Sequence, residues 1–113
     1  MKLSRDKGRK FSWEGLIGWA YNEKTDFPNA TAAYIETISP HGKIKNTVSD
    51  IVYFVVEGKG EFYVGVSWFF VEKNDVIIIP KNTPYDFRAI NSKLKLFLVH
   101  TPGYSPDDDV KLA

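Results

Sequence analysis

Hydrophobic positions along the chain come in short β-branched and aromatic runs separated by turn-forming residues, and no stretch sustains a helical period. The runs predict strands over residues 15–21, 32–39, 43–48, 51–56, 61–64, 67–72, 76–79, 87–90 and 93–100. Residues 43–48 alternate polar and apolar, which predicts a half-exposed strand. Residues 51–56 and 76–79 are apolar at consecutive positions, which predicts strands covered on both faces. Between the runs stand Asp26, Pro28 and Asn29, then Pro40-His41-Gly42, then Lys73-Asn74-Asp75, and then Pro80, Asn82 and Pro84. Gly65-Val66 reads as a two-residue hairpin loop with glycine first, as a type II′ turn prefers. Many short strands and no helix predict an all-β sandwich or small barrel, and the absence of repeats and linkers predicts one domain.

Composition narrows the function classes. A chain of 113 residues without cysteine has no disulfide framework and no thiol nucleophile, and its two histidines make a histidine-rich metal site difficult. A net charge of +1 argues against a general nucleic-acid binder. Residues 1–10 carry Lys2, Arg5, Lys7, Arg9 and Lys10 against Asp6, but no apolar segment follows, so neither a signal peptide nor a membrane span is expected. The expected location is cytoplasmic. This basic start and the acidic residues 107–113, with Asp107, Asp108 and Asp109, are expected to be solvated tails.

From Asp50 onward the chain resembles the cupins. Residues 50–62 end in Glu57-Gly58-Lys59-Gly60-Glu61-Phe62, similar to the strand and turn that close the first cupin motif. Residues 74–87, Asn74-Asp75 through Pro80, Asn82, Tyr85 and Phe87, are similar to the second motif. The likeness extends over residues 38–106 and implies a cupin-type jelly-roll barrel, preceded by N-terminal strands in 11–37. Asn74 and Asn82 replace the glycines of the second motif, and asparagine tolerates the positive φ such turns need.

The resemblance also implies where a cupin metal would be held, and there the chain departs from the family. Family spacing puts the ligand positions at Lys45, Thr47, Ile51 and Tyr85. A lysine has the wrong charge for a metal shell and an isoleucine has no lone pair, so no metal and no cofactor are expected. His41 is expected at the barrel rim, and His100, in phase with Leu94, Leu96 and Leu98, near the cavity mouth.

Alternation counted from Lys45 turns Lys45, Thr47, Ile51, Tyr53 and Val55 to one face, with Tyr85 and Phe87 sharing the cavity. Candidate ligand-binding residues are therefore Lys45, Thr47, Tyr53, Tyr85, Phe87 and His100. Aromatic walls with a few polar groups suit a small polar or sugar-like molecule. The alternatives are a metal-independent isomerase or epimerase acting through Tyr85, Lys45 or His100, and a non-catalytic dimeric scaffold. A homodimer is expected, with Phe11, Trp13 and Trp19 available for the partner surface.

Overall fold

The computed structural model describes residues 1–13 and 15–112. Its strands are β1 (Arg9–Trp13), β2 (Leu16–Ala20), β3 (Thr31–Thr37), β4 (Ile44–Asn46), β5 (Asp50–Glu57), β6 (Lys59–Val64), β7 (Ser67–Glu72), β8 (Val76–Ile79), β9 (Tyr85–Ala89), β10 (Leu94–Thr101) and β11 (Asp109–Lys111). They form two antiparallel sheets, ordered β1-β2-β3-β10-β5-β8 and β11-β4-β9-β6-β7. This is the all-β jelly-roll architecture that the motif resemblance implied.

Period-2 alternation builds the interior. In β10, Leu94, Leu96, Leu98 and His100 are buried, while Lys95, Phe97 and Val99 are only partly so. In β5, Ile51, Tyr53 and Val55 point inward. Facing them from the second sheet are Phe62, Val71, Tyr85 and Phe87. The outer faces of β5 and β8 are not covered, contrary to expectation. Val52, Phe54, Val76 and Ile78 are 37%, 36%, 57% and 64% exposed, because an antiparallel sheet needs cover on one face only.

The turns behave as their residues predict. Gly65 takes φ 73°, and Asn74 and Asn82 take φ 77° and 63°, so asparagine serves where the motif resemblance places glycine.

Both ends of the chain stay largely exposed but carry short elements of structure. Residues 5–7 form a short 3-10 turn, and the Arg5 guanidinium lies 4.5 Å from the centre of the Tyr34 ring and 5.4 Å from that of Trp19. Arg9 and Lys10 belong to β1, which pairs with β2. A Cβ on Gly18 would fall 2.5 Å from Phe11 and 2.8 Å from Ile35, so the bare glycine lets Phe11 lie flat across the strand pair. Phe11 is thereby packed against the core, and Trp19 is covered by Arg5 and Lys10. At the other end, β11 pairs with β4 and turns Asp109 toward Asn46.

β4 also corrects an inward assignment. Ile44 and Asn46 are buried, Lys45 is half-exposed and Thr47 is exposed. The strand stops at Asn46, whose Oδ1 accepts from the N–H groups of Val48 (2.9 Å) and Ser49 (2.6 Å), while its Nδ2 donates to Asp109 (3.2 Å). That side-chain-bonded turn breaks the alternation between β4 and β5 and shifts its phase by one residue. Asn46→Ala strands buried backbone donors and is expected to cost about 1–3 kcal/mol, against less than about 0.5 kcal/mol for Lys45→Ala. Denaturant melts of the two variants check this, and equal losses would contradict the orientation.

Candidate functional site

Aromatic rings tie the two sheets together. Tyr53 of β5 meets Phe62 of β6 and Phe87 of β9 edge-on, with centroids 5.2 and 5.4 Å apart, and Phe62 and Phe87 are 5.0 Å apart. Above this layer the barrel is open: a cavity of about 250 Å³ is walled by Phe11, Trp13, Leu16, Tyr53, Tyr85 and Leu98, among others. His41, His100, Tyr104 and Asp109 are among its polar groups, and Arg9, Glu23, Asn22, Thr31 and Ser12 line it as well.

His41 stands in the loop before β4. Its backbone N–H donates to the Phe87 carbonyl (2.8 Å), and the Gly42 N–H donates to the Asp86 carboxylate (2.8 Å), which locks the loop onto β9. The imidazole stacks on Phe87 at 4.5 Å and Tyr85 at 5.4 Å, with Trp13 at 5.5 Å. Its Nδ1 lies 2.9 Å from the Gly42 carbonyl, which can only accept, so Nδ1 carries the proton and Nε2 keeps its lone pair. Burial pulls its pKa below the ordinary histidine value, partly offset by the Gly42 hydrogen bond and Asp86. A neutral imidazole with a fixed tautomer can act as a proton acceptor near neutral pH.

The second cluster sits at the end of β10. His100 is paired across the sheet with Thr31 and Ile51, and its ring lies 5.0 Å from that of Tyr104. Tyr104 is held by its own N–H donating to Thr31 Oγ1 (2.9 Å). Burial lowers the His100 pKa to about 4. Asp109 moves the other way, to about 6, because burial outweighs the hydrogen bonds it receives from Tyr104 and Asn46. The phenols of Tyr53, Tyr85 and Tyr104 are all pushed up, chiefly by burial, Tyr104 to about 12. The three tyrosines are thus hydrogen-bond donors, and the proton acceptors are the two imidazoles and Asp109.

Of the residues expected on the cavity, the structure brings Tyr53, Tyr85 and His100 to its wall and puts Phe87 beneath it, under the His41 ring. Lys45 and Thr47 are not on the wall: Lys45 lies opposite Val110, and the Thr47 hydroxyl donates to the Asp108 carbonyl (3.0 Å). His41, Tyr104 and Asp109 were not expected there. His41 was placed no deeper than the rim, and Asp109 was hidden inside an acidic run whose pairing with β4 spans 63 residues of sequence.

The donors at the positions where cupin spacing places metal ligands do not fit a metal. Lys45 faces outward, Thr47 is exposed, and Ile51 is fully buried without a lone pair, which leaves Tyr85 alone. No cluster of three or more histidine, aspartate or glutamate side chains suited to a metal ion occurs among the described residues.

Residues 34–101 match the cupin domain family, more than half the chain. The chain belongs to the cupins. A curated relative, the uncharacterized protein MJ1618 of Methanocaldococcus jannaschii, is 35% identical over 65 residues, 57% of this cupin and about half (52%) of that protein's length. Among solved structures, this cupin resembles the nucleoside dehydratase Pac13 (TM-score 0.86, 22% identity, 99% of this chain and 90% of that one). It also resembles a Streptomyces Pac13 variant with uridine, in which a tyrosine is replaced by phenylalanine (TM-score 0.87, 23% identity, 99% of this chain and 89% of that one). Oxalate decarboxylase of Bacillus subtilis has a TM-score of 0.87 at 12% identity, over 97% of this chain and 31% of that one. At these identities the structural likenesses establish a shared fold.

The depressed pKa of His100 links stability of this cupin to pH. The unfolded chain takes up the imidazole proton near the ordinary value of 6.5, whereas the folded chain resists until about 4. Stability from this group is therefore complete above about pH 6.5 and is lost as pH falls toward 4, by up to about 3 kcal/mol. His41 acts in the same direction, and Asp109 in the opposite one as it gains a proton. Melts from pH 7 to 4 should show a shallower acid loss in His100→Phe than in the parent, and parallel curves would contradict the assignment.

Proposed function

We propose that this cupin binds an uncharged, sugar- or nucleoside-sized molecule in the cavity and acts on it by proton transfer, without a metal or cofactor. The observation that carries the reading is the geometry of His41, an imidazole stacked between cavity aromatics with Nδ1 tied to the Gly42 carbonyl and Nε2 left as an acceptor. In the proposed chemistry, Nε2 removes a proton from a carbon beside a carbonyl. Phenols of Tyr53 and Tyr85 then hydrogen-bond to the oxygen on which charge collects. Aromatic walls suit a flat or ring-shaped ligand, and about 250 Å³ is at the small end for a ligand site. The reading is supported further by the fold shared with Pac13, a nucleoside dehydratase whose structures include complexes with uridine. Uridine is therefore the first probe.

The expected outcome is a uridine-dependent rise in melting temperature, abolished in Tyr85→Ala with the fold retained. A panel of neutral nucleosides and keto sugars incubated in deuterium oxide should contain a member that gains carbon-bound deuterium with the parent protein. His41→Gln should lower that rate by about 10²–10⁴-fold, as loss of a general base does. If no panel member binds and none exchanges, the reading fails.

We also propose a homodimer formed through the outer faces of β5 and β8. Val52 and Ile78 are register partners, as are Phe54 and Val76, so their exposed side chains form one apolar strip beside the edge strand β8. Light scattering should give a dimer mass that falls to the monomer in Val76→Lys/Ile78→Lys, and a parent monomer at high concentration would refute it.

A further inference from the structure

We propose that His100, with Tyr104 and Asp109, forms a second polar subsite in the cavity, where Nε2 of His100 pairs with an uncharged hydrogen-bonding group of the ligand. The inference rests on the cavity being a ligand site, as argued above, and adds the atom and the chemistry that it reads. His100 is 7% exposed, and its Nε2 has no hydrogen-bond partner among the described residues. Buried polar side-chain atoms in folded proteins are nearly always paired, so a bare one on a residue that lines a cavity marks a bond that the protein alone does not make. One other buried polar atom is bare among the described residues, Oδ2 of Asp108, and Asp108 does not line the cavity.

The ring is also held in place before any ligand arrives. β10 is paired on both sides at His100, Tyr104 packs against the imidazole, and Thr31 anchors Tyr104 through its backbone. Such a group loses little freedom on binding.

The charges around it select an uncharged partner. Asp109 lines the same cavity and hydrogen-bonds to Tyr104, whose ring packs against His100. The cationic side chain on the wall, Arg9, is held by Glu23, with Nε and Oε1 2.5 Å apart. Among the described residues, then, the one cation lining the cavity is already paired with a carboxylate, and the Asp109 carboxylate repels a phosphate. The subsite therefore favours a nucleoside or free sugar over its phosphate ester.

The test uses the full chain labelled with ¹⁵N-histidine, titrated separately with uridine, uracil, ribose and uridine 5′-monophosphate while long-range ¹H–¹⁵N spectra follow both imidazoles. A neutral probe should shift Nε2 of His100. His100→Phe should weaken uridine binding about five- to tenfold, the worth of one hydrogen bond, while the melting temperature stays level or rises because a bare polar atom is removed. His100→Leu serves where phenylalanine overfills the site, and the spectra of the parent chain decide alone if both variants misfold.

If a probe moves His41 and leaves His100 unmoved, or if the variant binds as the parent does, the subsite is overturned and the cavity reading stands. Tighter binding of the monophosphate than of uridine overturns the selection for an uncharged ligand. If no probe moves either imidazole, both readings fall together.

Discussion

The two sheets are held together, and held apart, by the ring layer of Tyr53, Phe62 and Phe87. These rings are almost wholly buried, and they reach across from β5 to β6 and β9. Because they fill the lower interior with rigid apolar volume, the space above them persists as a cavity rather than collapsing. His41 lies directly on this layer through Phe87, and Tyr85 continues it upward. The position of the chemistry thus follows from the packing of the core, and a smaller side chain at 87 would loosen both.

The cavity's protonation pattern follows from the same burial. Taking a phenol or an imidazole out of water disfavours whichever of its forms is charged, so the tyrosines hold their protons and the histidines stay neutral. Asp109 shares in this, with a carboxyl that titrates near 6. The tyrosines and histidines of the wall are therefore uncharged donors and acceptors, set beside the Asp109 carboxyl and the Arg9–Glu23 pair. This wall differs in kind from a metal-binding cupin pocket, where imidazoles and a carboxylate share a cation.

Much of this was legible in the chain, and the parts that were not share a cause. The apolar runs located β5 to β8 and β10 closely, and Asn74 and Asn82 carried the left-handed turns that the motifs required. Tyr53, Tyr85, Phe87 and His100 were assigned to the interior by parity within a single strand, where alternation is reliable. Lys45 and Thr47 were assigned by carrying parity through residues 47–49, where the Asn46 side chain replaces the ladder and resets the phase. β1, within the N-terminal strands expected in 11–37, was given no range of its own because its apolar residues are interleaved with Arg9, Lys10 and Ser12. β11 was missed because three residues beside an acidic run carry almost no strand signal until β4 is there to pair with them. His41, too, reaches the cavity only through long-range bonds from its loop to Phe87 and Asp86.

In the proposed complex an uncharged ligand sits between the two imidazoles, on the aromatic layer and under the C-terminal segment. A crystal structure of the protein grown with uridine tests it most directly. The account predicts density for the nucleoside inside the barrel, within hydrogen-bonding distance of Nε2 of both His41 and His100. A cavity that stays empty at saturating uridine, or that closes over with its own side chains, would contradict it.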